Sequence, residues 1–192
     1  EENMVDSTIN TASTRPTHMP HAGTSFFCIS FTASPRSPVF SSVAAGAAEG
    51  WGVWVALAAG FAAGQIMTVQ PGGAYQAKGV AFETVPAYNI DKKFHPQANC
   101  WVGYVVTVAG RRVYVAGDTD DTPEARTVRC DAAFLPAGGT YTMTAAEAAA
   151  LANAIHPQAA VPTHYGSIVG EKTDGDAFAA ALAGGIRCVK LL

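Results

Sequence analysis

The stretch Val113-Tyr-Val-Ala-Gly-Asp-Thr-Asp120, together with Val161-Pro-Thr-His-Tyr-Gly166 further along, decides the reading of this chain. Each half starts as an apolar, β-branched run and stops at a residue able to bind a metal. Such runs read as strands. Their ends then carry a carboxylate, Asp118, and an imidazole, His164. Loops at strand ends, held by a rigid sheet, are where chemistry is usually placed. Carboxylate oxygen and imidazole nitrogen are both ligands for zinc and similar ions. Two donors make part of a metal site.

Working outward, the neighbouring sequence has a regular pattern. Val80-Ala-Phe-Glu-Thr-Val85 alternates as a half-buried strand does and stops at Pro86. Trp101-Val-Gly-Tyr-Val-Val-Thr-Val108 reads as a strand, with a tight turn at Ala109-Gly110-Arg111 and a hairpin partner over 112–116. Residues 131–136 read as a short buried strand. Thr144-Ala-Ala-Glu147 is a capping box that opens an Ala-rich helix to about Ile155, ended by His156-Pro157. A strand over 159–163, a helix over 174–182 stopped by Gly184-Gly185, and a last strand over 186–192 complete the pattern. Strand hairpin, then β-α-β-α-β, predicts an α/β protein with helices packed on a sheet.

The 192 residues suffice for one domain with a substantial core. Hydrophobic residues make up 49% and mean hydropathy is +0.16, a globular composition. A net charge of -3 lacks the basic footprint of a nucleic-acid binder. The four cysteines are widely spaced, with no C-x-x-C pair, and read as reduced thiols in a cytoplasmic protein. The acidic start is unlike a signal peptide. The uncharged segment 50–64 is shorter than the roughly 20 residues of a membrane span, and reads as buried core. No membrane partner is expected.

Composition changes near residue 65. Half of residues 7–42 are Ser, Thr or Pro, without a helical or strand period beyond the apolar patch at 26–29. Such a stretch buries too little apolar surface to offset its ordering entropy. The expected division is an irregular segment over 1–64 and an α/β domain over 65–192.

Each candidate site residue has a plain alternative. Asp118 is a metal donor or a turn residue; Asp120 and Asp121 are caps or solvated charges. His164 is a ligand or a structural histidine, with Tyr165 beside it to orient the imidazole or a substrate. His95, in the polar loop Tyr88-Asn-Ile-Asp-Lys-Lys-Phe-His-Pro96, meets an anionic substrate with Lys92 and Lys93, or is simply solvated. Gly138-Gly139-Thr140-Tyr141 approaches a ligand or turns the chain. His18 and His21 form an H-x-x-H pair without helix or carboxylate support.

Taken together, Val85-Pro-Ala-Tyr-Asn-Ile90, Phe94-His-Pro96, Trp101-Val-Gly-Tyr104, Ala116-Gly-Asp-Thr-Asp120, Gly138-Gly-Thr-Tyr-Thr-Met143 and Pro162-Thr-His-Tyr-Gly-Ser167 resemble the metallo-β-lactamase fold superfamily. The resemblance covers about 65–192. It is closest to small bacterial metal-dependent hydrolases related to ascorbate-6-phosphate lactonase. It implies an αββα sandwich, incomplete or irregular at its N-terminus here, with the metal site along one edge. It makes Asp118 similar to the family's metal-bridging carboxylate and His164 similar to its last histidine ligand. Zinc or manganese, two ions in an intact homologue, would then activate a water for attack on a small ester, lactone or phosphodiester.

The family's H-x-H-x-D-H motif has no match upstream of this region. Asn89 and His95 are the further candidates, as substrate contacts or as donors. Two readings follow: a metal-dependent hydrolase acting on a small, anionic substrate, or a non-catalytic protein of the same fold that binds or supports another molecule. A fold short of its opening strands also exposes sheet edge, which favours oligomers.

Overall fold

The computed structural model describes residues 26–34, 37–45 and 66–191. Two strands, β1 (Phe26–Ser34) and β2 (Ser37–Ala45), pair antiparallel over their whole length, from Phe26 opposite Ala45 to Ser34 opposite Ser37. This corrects the expectation of an irregular stretch there. Aromatic and β-branched residues (Phe26, Phe27, Ile29, Phe31, Val39, Phe40, Val43) recur within the Ser/Thr-rich background, and these favour strands. The apolar segment 50–64 and the His18/His21 pair lie outside the described residues.

The second sheet has seven strands in sequence order: β3 (Ala74–Ala77), β4 (Val80–Pro86), β5 (Val102–Val108), β6 (Arg111–Val115), β7 (Ala132–Pro136), β8 (Ala159–Thr163) and β9 (Arg187–Cys188). Two-residue turns make its hairpins. Lys78-Gly79 joins β3 to β4 and Ala109-Gly110 joins β5 to β6. All four turn residues have positive φ, between 47° and 80°. That is the primed-turn geometry whose twist matches paired strands, with glycine second. The sequence pattern revealed the second hairpin but not β3, whose Gln and small residues carry little strand signal.

β3 to β6 run antiparallel, and β6 to β9 run parallel. Two helices, α1 (Ala145–Ile155) and α2 (Asp174–Ala181), supply the crossovers from β7 to β8 and from β8 to β9. The capping box forms as expected: Glu147 N–H donates to Thr144 Oγ1 at 3.3 Å, and Thr144 N–H donates to Glu147 Oε2 at 2.8 Å. Pro157 follows His156, whose φ of 52° ends α1. Ala148, Ala149, Leu151, Ala152 and Ile155 of α1 and Phe178 of α2 pack with Val105, Tyr114, Ala133, Leu135 and Ala160 of the sheet. Alanines let the helix axis approach the sheet closely. Val69, Phe82, Val102 and Tyr104 form a second cluster. Adjacent residues Tyr104 and Val105 of β5 belong to different clusters, so β5 is buried on both faces.

The last strand is shorter than the expected 186–192. Val189 N–H donates to Ala160 O at 2.9 Å, so Ala160 turns its backbone groups toward β9. Two residues on, that side of β8 is presented by Pro162, which has no N–H to continue the ladder.

Burial sets an alkaline limit on stability. It pushes the Cys130 thiol up from 9.0 to about 11, with Arg112 opposing and Asp131 adding to the shift. Burial likewise raises the fully buried Tyr114 phenol, assisted by Cys130 and Asp121. A proton held more tightly in the folded state stabilises it fully below the unfolded pKa. As pH rises from 9 toward 11, the unfolded chain loses the Cys130 proton first. A melting series from about pH 8 to 11 should therefore show Tm constant at first and falling steadily above about pH 9.

Candidate metal centre

The parallel direction of β6, β7 and β8 sends their C-terminal ends to one edge of the sheet, where α/β sheets place their ligands. β5 runs against β6, so its start, and the loop that precedes it, reach the same edge.

Asp118 leaves this edge three residues after β6. Gly117 turns the chain with φ 69°, and Gly103 of β5 permits a close approach beneath it. A Cβ at Gly103 would lie 2.5 Å from Ala116 O. The carboxylates that crowd together in sequence are sorted by partner. Asp120 is buried, accepts from Ile90 N–H at 3.0 Å and pairs with Lys92. Asp121 accepts from Arg126 Nε at 2.8 Å. Thr119, fully buried, shares its hydroxyl with the backbone of Tyr88 at 3.2 Å. Asp120 is thus neither a cap nor a solvated charge: it fastens the 88–92 loop to the end of β6. This engages Lys92 in an ion pair with Asp120.

His164 follows β8 directly, with φ 58°, a left-handed conformation that histidine adopts more readily than most residues. Its carbonyl oxygen lies where a Cβ on Gly138 would come within 2.2 Å. Glycine at 138 is therefore what lets the ends of β7 and β8 close together. Tyr165, expected to orient the imidazole or a substrate, turns away from the sheet edge. It is buried, and its hydroxyl end lies where a Cβ on Gly175 of α2 would meet it at 2.4 Å. The chain reverses so tightly at His164 that the next ring packs under α2.

His95 completes the group. Its Nε2 is 3.2 Å from Asp118 Oδ2, while His164 Nε2 is 3.9 Å from Asp118 Oδ1. One carboxylate therefore sits between two imidazoles from different loops. The His95 ring packs edge-on against Trp101 at 4.9 Å between centroids, and its Nδ1 is 3.2 Å from Tyr141 O. Asn89 lies beneath it, 5% exposed, with Nδ2 donating to Tyr141 O at 2.7 Å. The Asn89 amide nitrogen is therefore engaged by protein, while its buried Oδ1 has no hydrogen-bond partner among the described residues. The roles of Tyr141 O and Trp101 were not legible as site chemistry; the only sequence signal was the Gly138-Gly139 turn after a strand end.

Asp118 and His164 side chains are 43% and 42% exposed, so both are accessible to an ion from solution. Oxygen and nitrogen donors of this kind suit zinc or manganese. Among the described residues, no three His, Cys, Asp or Glu side chains are arranged to enclose an ion. The donor chemistry fits a metal, and the number of donors fits part of a coordination shell. Beside His164 a cleft of about 660 Å³ opens between Thr140–Tyr141 and residues 166–173, with Ser167, Ile168 and Lys172 in its lining. Among the described residues no helix is long and apolar enough to cross a membrane.

A mixed sheet with helices packed on it, and a carboxylate and an imidazole at the ends of its parallel strands with a second imidazole from the loop before β5, is the metallo-β-lactamase fold. The profile of the beta-lactamase superfamily domain matches residues 36–165, and the chain belongs to that family. The match begins well upstream of residue 65. A UPF0173 metal-dependent hydrolase of Thermus thermophilus is 32% identical over 114 residues, 56% of this chain and 50% of that protein. The chain spans about half the length of the curated relatives it matches. The crystal structure of a proposed metal-dependent hydrolase from Parabacteroides distasonis superposes with a TM-score of 0.59 at 35% identity, over 66% of this chain and 58% of that one. Igni18, a metallo hydrolase of Ignicoccus hospitalis, shares the fold at 24% identity and a TM-score of 0.56, over 72% and 62% of the two chains.

Proposed function

We propose that the Asp118–His164 edge is the working face of a metal-dependent hydrolase that acts on a small ester, lactone or phosphodiester. The observation that carries this reading is the placement of the Asp118 carboxylate, at the end of β6, between His164 at the end of β8 and His95 from the loop before β5. Membership of the superfamily and the names of the similar proteins support it. Asp118 and His164 are the metal donors, and zinc is the preferred ion by donor type, with manganese the alternative. A bound divalent ion would supply a water acidic enough to act as nucleophile at neutral pH. The chain's own residues hold and orient: Asp118 and His164 present donors at the exposed edge of the sheet, and the neighbouring cleft formed by 140–141 and 166–173 positions the substrate. Lys172, whose stem lies 3.4 Å from the Cβ position of Gly166, favours a substrate with an anionic group.

The donor count among the described residues favours a second reading, a non-catalytic protein of the same fold. Metal content decides between them. After equilibration with micromolar zinc or manganese and desalting, the hydrolase reading requires retained metal and turnover of a chromogenic ester, lactone or phosphodiester. Protein that retains no metal excludes catalysis by this chain.

A further inference from the structure

The cleft beside His164 has an aromatic ring fixed in one wall. Tyr141 lines the cleft and is 36% exposed. Phe94 stands edge-on to its ring, with 4.7 Å between centroids and 83° between planes. The Tyr141 carbonyl accepts from Asn89 Nδ2 at 2.7 Å, which ties its backbone to the loop that carries His95. Ring and backbone are both held in the free protein. An aromatic face held this way favours a flat apolar partner.

The other wall, residues 166–173, carries Ile168, which is 97% exposed. Its neighbour Val169 is packed: its Cγ2 lies 3.1 Å from the Cβ position of Gly138. A single exposed isoleucine needs no explanation. One that shares a cleft with an exposed tyrosine makes a second apolar wall. Lys172 supplies positive charge. Its Cα and Cγ lie 3.4 Å from the Cβ position of Gly166, two residues after His164. Lys92 and Lys190 pair with Asp120 and Asp176, whereas Lys172 forms no ion pair among the described residues. Glu171 is the other charged side chain in the lining.

We propose that this cleft selects a small anion bearing an aromatic group, with the ring between Tyr141 and Ile168 and the anionic group at Lys172. This rests on the reading of the Asp118–His164 edge as a hydrolase centre, and narrows its substrates to negatively charged molecules with an aryl substituent. Tyr141 and Ile168 are then specificity-determining residues for that reaction.

The test is ligand binding to the full chain freed of metal with a chelator, so that it does not depend on turnover. Phenylphosphonate carries both groups and has no ester bond to hydrolyse. Methylphosphonate lacks the ring, and benzamide lacks the charge. A chemical-shift titration follows the Ile168 methyl, assigned by its loss in Ile168→Ala. The expected result is a saturable shift with phenylphosphonate, with methylphosphonate about 10-fold weaker and benzamide about 3-fold weaker. Ligand-observed saturation transfer reads the variants: Ile168→Ala and Tyr141→Ala should each weaken phenylphosphonate by about 3- to 10-fold, and Lys172→Met by about 3-fold at low salt. Equal affinity for the two phosphonates, equal affinity for benzamide, an unmoved Ile168 methyl, or unchanged binding by Ile168→Ala overturns the proposal. Truncating so exposed a side chain leaves no void, so Ile168→Ala decides alone if Tyr141→Ala does not fold. Binding as expected without turnover by zinc-loaded protein ends the hydrolase reading and leaves the cleft assignment standing. Turnover that does not distinguish aryl from methyl substrates ends the cleft assignment and leaves the hydrolase reading standing.

Discussion

Asp118→Ala is expected to lower zinc affinity by more than about 100-fold and to abolish any metal-dependent turnover. The lower bound follows from the 10–100-fold cost of losing a residue that only supports a metal ligand. A direct donor contributes more. The side chain is 43% exposed, so its loss leaves no buried void and no orphaned partner in the core. Tm should move by less than about 2 °C. Competition titration against a chromogenic chelator reads the affinity, and thermal unfolding provides the control. Zinc binding that persists within about threefold would remove Asp118 from the centre and end the hydrolase reading built on it.

Gly138→Ala is expected to have the largest effect on stability at the site. The added Cβ would lie 2.2 Å from His164 O and 3.1 Å from Val169 Cγ2. The first contact is with backbone, so no rotamer relieves it, and the ends of β7 and β8 must separate. The cost is about 3 kcal/mol, at the upper end for overpacking. In a chain of this length that is a Tm lower by roughly 10 °C. His164 moves with its carbonyl, so zinc affinity should fall together with Tm. Gly79→Ala is the control. It has φ 80° but nothing within 4 Å of the new Cβ, so it bears backbone strain alone, about 1 kcal/mol. Its turn joins β3 to β4, away from the metal edge, and zinc affinity should be unchanged. Calorimetry and metal titration on the two variants separate them. Equal losses in both would refute the steric account of Gly138.

Much of the fold was legible because its signals are short-range. Thr144 and Glu147 lie three residues apart, and the box they form needs no other part of the chain. Ala109-Gly110 needs only its flanking strands to become a hairpin. The errors came where a neighbour overrides the local pattern. The run 186–192 is apolar enough for a long strand, yet Pro162 on the adjoining strand ends the ladder after Cys188. The pair β1–β2 formed from aromatic and branched residues within a background whose average composition concealed them.

The site divides in the same way. The sequence by itself determined that Asp118 and His164 stand at strand ends, since apolar runs that stop in Gly-Asp and Thr-His record a local change from strand to loop. It also placed His95 and Asn89 in one loop. Only the tertiary structure decided that Asp118, not Asp120 or Asp121, faces the imidazoles, that Lys92 is engaged by Asp120, that Tyr165 packs beneath α2, and that Asn89 supports His95. The physical reason is direction. Parallel β6, β7 and β8 deliver their ends to one edge, and antiparallel β5 brings the His95 loop to meet them. Which partner each polar group finds there depends on strand order and close backbone approach, and neither is written in the spacing of residues along the chain.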